Sequence, residues 1–135
     1  MSDSHWNRIF LACPLIYRGR FDGPKRNLMI FGFCCGKGWF GLIYELSQQI
    51  ETIAVDMKNR GCPEDELPIV VQVKEKFGGL RVYMCNQNDD ISLLIEQAEA
   101  KSHRVCERCG QAGETYSDDG WYRTECESCR SKLKE

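Results

Sequence analysis

The sequence predicts an α+β fold: helices packed on a short antiparallel β-hairpin or sheet, with a cysteine-rich ribbon at the C-terminus. Three observations carry that prediction. An apolar stripe at helical spacing runs from Trp39 to Met57. A β-branched and aromatic run is broken by Gly78-Gly79. Two C-x-x-C pairs lie near the end of the chain. With 135 residues and 42% hydrophobic content there is enough material for one core. The sequence divides into a core domain over residues 1–103 and an appendage over 104–135.

In chain order, residues 2–10 form a short helix. Ser2, Asp3 and Ser4 are capping candidates, Trp6, Ile9 and Phe10 make the apolar side, and Pro14 stops it. "RGRFDGPKRN" (18–27) is a basic loop punctuated by Gly and Pro. The long helix starts near Trp39. Leu42, Ile43, Leu46, Ile50, Ile53, Ala54 and Met57 follow at three- and four-residue steps, and Gly61 and Pro63 end it. "IVVQVKEKFGGLRVYMC" then reads as two strands joined by a two-residue turn at Gly78-Gly79. That register sets Phe77 opposite Leu80, Lys76 opposite Arg81 and Val73 opposite Met84. Its inner face is Val71, Val73, Phe77, Leu80, Val82 and Met84, with Glu75 out of place. Its outer face is Lys74, Lys76, Arg81 and Tyr83. A last helix, capped by Asp89 and Asp90 and apolar at Ile91, Leu94, Ile95 and Ala98, runs toward His103.

The tail carries the strongest motif. Cys106 and Cys109 form one C-x-x-C, Cys126 and Cys129 another, and 16 residues separate them. Two thiolates two residues apart turn inward around a tight knuckle, which Gly110 eases, and the second pair completes a tetrahedron. The expected cofactor is one structural Zn2+. Four thiolates leave no open coordination position for catalysis. A thioredoxin-like redox pair would need a βαβ context, which is missing. Nearby His103 reads as a solvent-facing helix residue. Asp118-Asp119-Gly120 reads as the ribbon turn, with Trp121 and Tyr122 packing around it. Cys13, Cys34, Cys35, Cys62 and Cys85 read as small buried apolar residues.

"FGFCCGKGWFGLI" (31–43) resembles two catalytic loops and completes neither. A P-loop needs four residues between its first glycine and Gly-Lys, then Ser or Thr; here three residues intervene and Gly38 follows. A papain-like motif needs cysteine where Gly38 stands. What survives is a tight turn into the helix with Trp39 as anchor. The alternatives are a thiolate at Cys35 or an anion on the bare amides of residues 36–39.

Taken together, "FGFCCGKGWFGLI", "VQVKEKFGGLRVYM" and "AEAKSHRVCERCGQAG" resemble a group of small uncharacterised proteins encoded by bacteriophages and prophages that carry a C-terminal four-cysteine zinc ribbon. The resemblance spans about residues 31–129, with departures at Cys34 and Lys37, where the group has acidic residues. It implies a phage setting and a host bacterial cytosol, and no activity.

Charge and composition weigh on function. The net charge is −2, so the chain is not a polycation built for nucleic acid. The charges are uneven: residues 1–30 are basic and residues 89–100 acidic, as suits a docking surface. No apolar stretch is long enough for a transmembrane helix and no secretory signal opens the chain, which points to the cytoplasm and away from the membrane. The expected function is a zinc-containing interaction protein that binds and modulates a host or phage protein, in concrete form by inhibiting a bacterial defence system or host enzyme. The alternative is a nucleic-acid-binding zinc-ribbon protein that uses the outer hairpin face: Lys74, Lys76 and Arg81 on phosphates and Tyr83 stacked on a base. No nucleophile and base stand at a catalytic spacing, so no enzyme is expected and no catalytic residue is assigned.

Overall fold

A computed structural model describes residues 2–133, with side chains from residue 5 to residue 132. The capping expected of Ser2, Asp3 and Ser4 lies outside those side chains. The chain is α+β, in the order α1 (Ser2–Ala12), β1 (Phe33–Cys34), α2 (Phe40–Asn59), β2 (Ile69–Lys76), β3 (Gly79–Cys85), α3 (Asp89–Ser102), β4 (Glu114–Asp118), β5 (Trp121–Glu125) and α4 (Glu127–Leu133).

The expected core forms. Ile43, Leu46, Ile50 and Ala54 of α2 meet Val70, Val73, Leu80 and Val82 of the sheet and Ile91, Ile95 and Ala98 of α3. Trp39 is fully buried among them. Fully burying an Ile or Leu side chain stabilises by roughly 1.5–3 kcal/mol, so the stripe is the main reason α2 holds its place. The helix is entered through a 3-10 turn over Lys37–Trp39. The cap of α3 sits one residue earlier than the sequence indicates. Asn88 accepts from the Ile91 amide at 2.9 Å, while Asp89 and Asp90 occupy the first turn, where negative charge suits the helix dipole.

The hairpin register is two residues off the expected one, because the turn sits one residue earlier. Lys76 pairs with Gly79, Glu75 with Leu80, Lys74 with Arg81 and Val73 with Val82. The two turn residues are therefore Phe77 and Gly78, both in the left-handed region with φ of 55° and 82°. A two-residue hairpin turn with positive φ at both positions matches the strand twist. Glu75 reinforces it by accepting from the Gly78 amide at 2.8 Å. Gly79 is reserved for close packing, since a Cβ there would lie 2.6 Å from His103 Nε2. An irregularity between Val70 and Gln72 turns Val70 inward and leaves Val71 half-buried, so Val70 fills the core position expected of Val71. Phe77 sits in the turn and is exposed.

The sheet has a third strand that two residues of sequence could not announce. β1 pairs parallel to β2, Phe33 against Val73 and Cys34 against Lys74. The opposite edge, β3, is closed by α3. The Leu80 amide donates to Ser102 Oγ at 2.9 Å and the Val82 amide to Glu99 Oε2 at 3.1 Å. These side chains satisfy edge donors that burial would otherwise leave unpaired.

The basic loop has a structural task. The Arg18 guanidinium donates to four carbonyls, those of Leu15, Glu64, Leu67 and Pro68. Buried Asn27 donates to the Val70 carbonyl at 2.9 Å and caps the Met29 amide at 2.8 Å. Together they tie residues 13–27 to the start of β2.

Candidate metal centre

The tail begins where α3 stops. His103 caps that helix, and Val105 and Ala112 form a bridge around a knuckle. Within it the Gly110 amide donates to the Cys106 carbonyl and the Cys106 amide to the Gln111 carbonyl, at 2.9 and 2.7 Å. Gly110 has φ of 84°, the left-handed conformation expected at that position. The expected ribbon follows as β4 and β5, turned at Asp119-Gly120. The second cysteine pair sits at the start of α4, an element the sequence reading lacks. The Arg130 amide donates to the Cys126 carbonyl at 2.9 Å, and the Cys129 amide approaches Cys126 Sγ at 3.4 Å.

The four sulfurs of Cys106, Cys109, Cys126 and Cys129 all lie within 4.8 Å of one another. This is a possible metal-binding site, with soft thiolate donors and no other residue type in the set. Cys129 is pushed up to about 12, first by its hydrogen bond with the Cys126 side chain and then by burial. Cys106 is pushed up by burial but brought down to about 7 by backbone hydrogen bonds. One bound cation would favour the thiolate form of all four. Among the described residues no second group of three or more candidate ligands converges.

The knuckle docks on the loop whose role the sequence left open. Gly38 N–H donates to the Glu107 carbonyl and Gly36 N–H to Glu107 Oε2, both at 2.8 Å. The Trp39 indole donates to the Val105 carbonyl at 2.8 Å. Of the amides that could have held a ligand anion, that of Gly36 thus holds the chain's own carboxylate and that of Gly38 a backbone carbonyl. The glycines are there for close approach: a Cβ on Gly38 would lie 2.6 Å from the Glu107 carbonyl carbon, and one on Gly36 2.9 Å from Glu107 Cγ. Glu107 is shifted up by burial, against the Gly36 amide and with help from Glu75 and Glu125. Cys35 is not an activated thiolate. Burial, then the nearby Glu107, drives its thiol far above the ordinary range.

His103 is not solvent-facing. It is half-buried, with Nδ1 2.6 Å from Thr115 Oγ1. Thr115 bonds Thr124, and the Thr124 hydroxyl donates to the Gly78 carbonyl, so a polar chain joins α3, the ribbon and the hairpin turn. Trp121 and Tyr122 do not pack around the ribbon: they are 73% and 47% exposed, beside the hairpin turn. Of the lone cysteines, Cys13 is buried as expected, but Cys34 and Cys85 are exposed.

Lys74, Lys76, Arg81 and Tyr83 share one face of β2 and β3 by strand alternation. Lys74 Nζ lies 5.6 Å from the Tyr83 ring centroid, and Arg81 is held by the Leu80 carbonyl at 2.9 Å. The sequence reading had no signal for Glu107, Gly36 or Gly38 as docking residues, because the loop and the knuckle are about seventy residues apart in the chain. No helix is long and apolar enough to cross a membrane among the described residues. No protein-family model, curated protein or solved structure matches the chain.

Proposed function

We propose that this chain is a small zinc-containing interaction protein that binds and modulates another protein. The observation that carries the metal half is the sulfur spacing. Zinc–sulfur bonds of about 2.3 Å put tetrahedral sulfurs about 3.8 Å apart. Cys109 Sγ and Cys126 Sγ are 3.6 Å apart, and the whole set lies within 4.8 Å. Four thiolates close the coordination sphere, so the zinc holds the knuckle, ribbon and α4 together and does no chemistry. What supports the binding half is the hydrogen-bonded seating of that unit on the core beside a patch of exposed aromatic side chains. Following the resemblance, the partner is a host or phage protein met in a bacterial cytoplasm. The concrete form of modulation is inhibition of a defence system or host enzyme.

A pulldown from nuclease-treated bacterial lysate tests this. One protein retained by the zinc-loaded chain and lost with Cys106→Ser supports the proposal. Recovery of nucleic acid alone, abolished by Lys74→Glu/Lys76→Glu/Arg81→Glu, overturns it. That outcome would favour the second reading, nucleic-acid binding on the outer hairpin face. The shared placement of those three cations and Tyr83 is the observation behind it.

A further inference from the structure

A cavity of about 490 Å³ opens between the Phe77-Gly78 turn of the hairpin and the Asp119-Gly120 turn of the ribbon. Phe77, Trp121 and Tyr122 line it together with Glu75, Glu107 and Arg123. Three features set it apart from an ordinary surface dent. All three aromatic rings are exposed, Phe77 by 63% and Trp121 by 73%. Phe77 holds a φ of 55°, a conformation in which Asn or Gly is far easier than an aromatic residue, so the turn retains a costly side chain that it does not bury. Each carboxylate accepts from one backbone amide, Glu75 from Gly78 and Glu107 from Gly36. Neither has an ion-pair partner among the described residues.

The lining is therefore aromatic and net negative, two carboxylates against the single guanidinium of Arg123. Phosphate would be repelled by that lining. A cation carried on methylene groups is favoured twice, by the ring faces and by the carboxylates. Phe77 and Tyr122 stand perpendicular with centroids 6.2 Å apart, and a cation of this chain, Lys76 Nζ, already approaches the Phe77 ring at 5.6 Å from its centroid. We propose that this cavity receives a cationic side chain, lysine or arginine, from an extended segment of a partner protein. This rests on the interaction-protein reading and names the surface and the chemistry of its partner.

The test uses the full, zinc-loaded chain and a short blocked peptide, acetyl-Gly-Ala-Lys-Ala-Gly-amide, with its norleucine counterpart as the neutral control. The readout is the tryptophan indole and glycine amide resonances in a nitrogen–proton NMR titration. The lysine peptide should shift the Trp121 indole and the Gly78 and Gly120 amides, with a dissociation constant on the order of 1 mM for so small a probe. It should leave the buried Trp39 indole in place, and the norleucine peptide should shift nothing. Glu75→Gln keeps the acceptor for Gly78 and removes only charge, and Trp121→Ala alters an exposed position, so both should fold and keep their metal. Each should weaken the lysine peptide about fivefold or more. Equal shifts from the norleucine peptide, no shift from either peptide, or a single-stranded oligonucleotide moving the same resonances while the lysine peptide does not, would each overturn the proposal. Zinc content measured on the same samples keeps such a failure separate from failure of the metal centre.

Discussion

Replacing Gly38 with alanine should undock the metal knuckle from the core without touching a metal ligand. The added Cβ would collide with the Cys106 carbonyl oxygen and lie 2.6 Å from both the Glu107 carbonyl carbon and its oxygen. These are backbone atoms and cannot rotate away. Relief requires the loop and knuckle to separate by a few tenths of an ångström or more. That movement strains three hydrogen bonds of 2.8 Å: Gly38 to Glu107, Gly36 to Glu107 and Trp39 to Val105. Overpacking of this kind costs about 1–3 kcal/mol, and the accompanying strain on these bonds puts the site at the upper end of that range. A total near 3 kcal/mol is a large share of the roughly 5–15 kcal/mol that holds a domain folded. It corresponds to a melting temperature lower by about 10 °C. Gly41→Ala is the control, because nothing lies within 4 Å of its Cβ position and it sits in the first turn of α2. That change should be neutral or stabilise by up to about 1 kcal/mol. The assay is guanidinium unfolding of the zinc-loaded protein, followed by Trp39 fluorescence, with metal content measured in parallel. Gly38→Ala unfolding at the same midpoint as Gly41→Ala would refute the docking geometry.

Other expected outcomes follow from the same contacts. Ser102→Ala leaves the Leu80 amide buried without an acceptor, so urea unfolding should show a loss of about 1–3 kcal/mol. Cys106→Ser or Cys109→Ser should release the metal and abolish protection of the β4–β5 amides from hydrogen exchange, while α2 amides stay protected. Lowering the pH should release the metal, because protons compete with it for the four thiolates; a chromogenic chelator should record that loss on the acid side and none on returning to neutral. Phe77→Asn should relieve the left-handed strain at the hairpin turn and raise stability by up to about 1 kcal/mol in denaturant, while weakening binding in the adjoining cavity.

Features set by local periodicity could be read from the sequence. The α2 stripe, the α3 apolar face and the two strands each repeat a pattern within a few residues, so their existence and their shared core were legible. The convergence of the four cysteines was legible because two C-x-x-C pairs leave little freedom in how they can meet. The hairpin register was not, because "FGG" admits two turns. The choice fell to Gly79, whose missing side chain lets His103 close in, and to Phe77, which tolerates positive φ against its own preference. The parallel pairing of β1 and the seating of Glu107 on Gly36 and Gly38 depend on segments far apart in the chain, and no local pattern encodes such a meeting. Trp121 and Tyr122 were misplaced for a different reason: large apolar side chains usually pack, and these two stay open.

X-ray absorption at the zinc edge of the purified protein, with elemental analysis of the same sample, decides whether the cysteine cluster is what holds the tail. One zinc per chain, surrounded by four sulfurs at about 2.3 Å, is the expected result. A shell containing nitrogen or oxygen, or a folded tail that retains no metal, would contradict the closed four-thiolate centre.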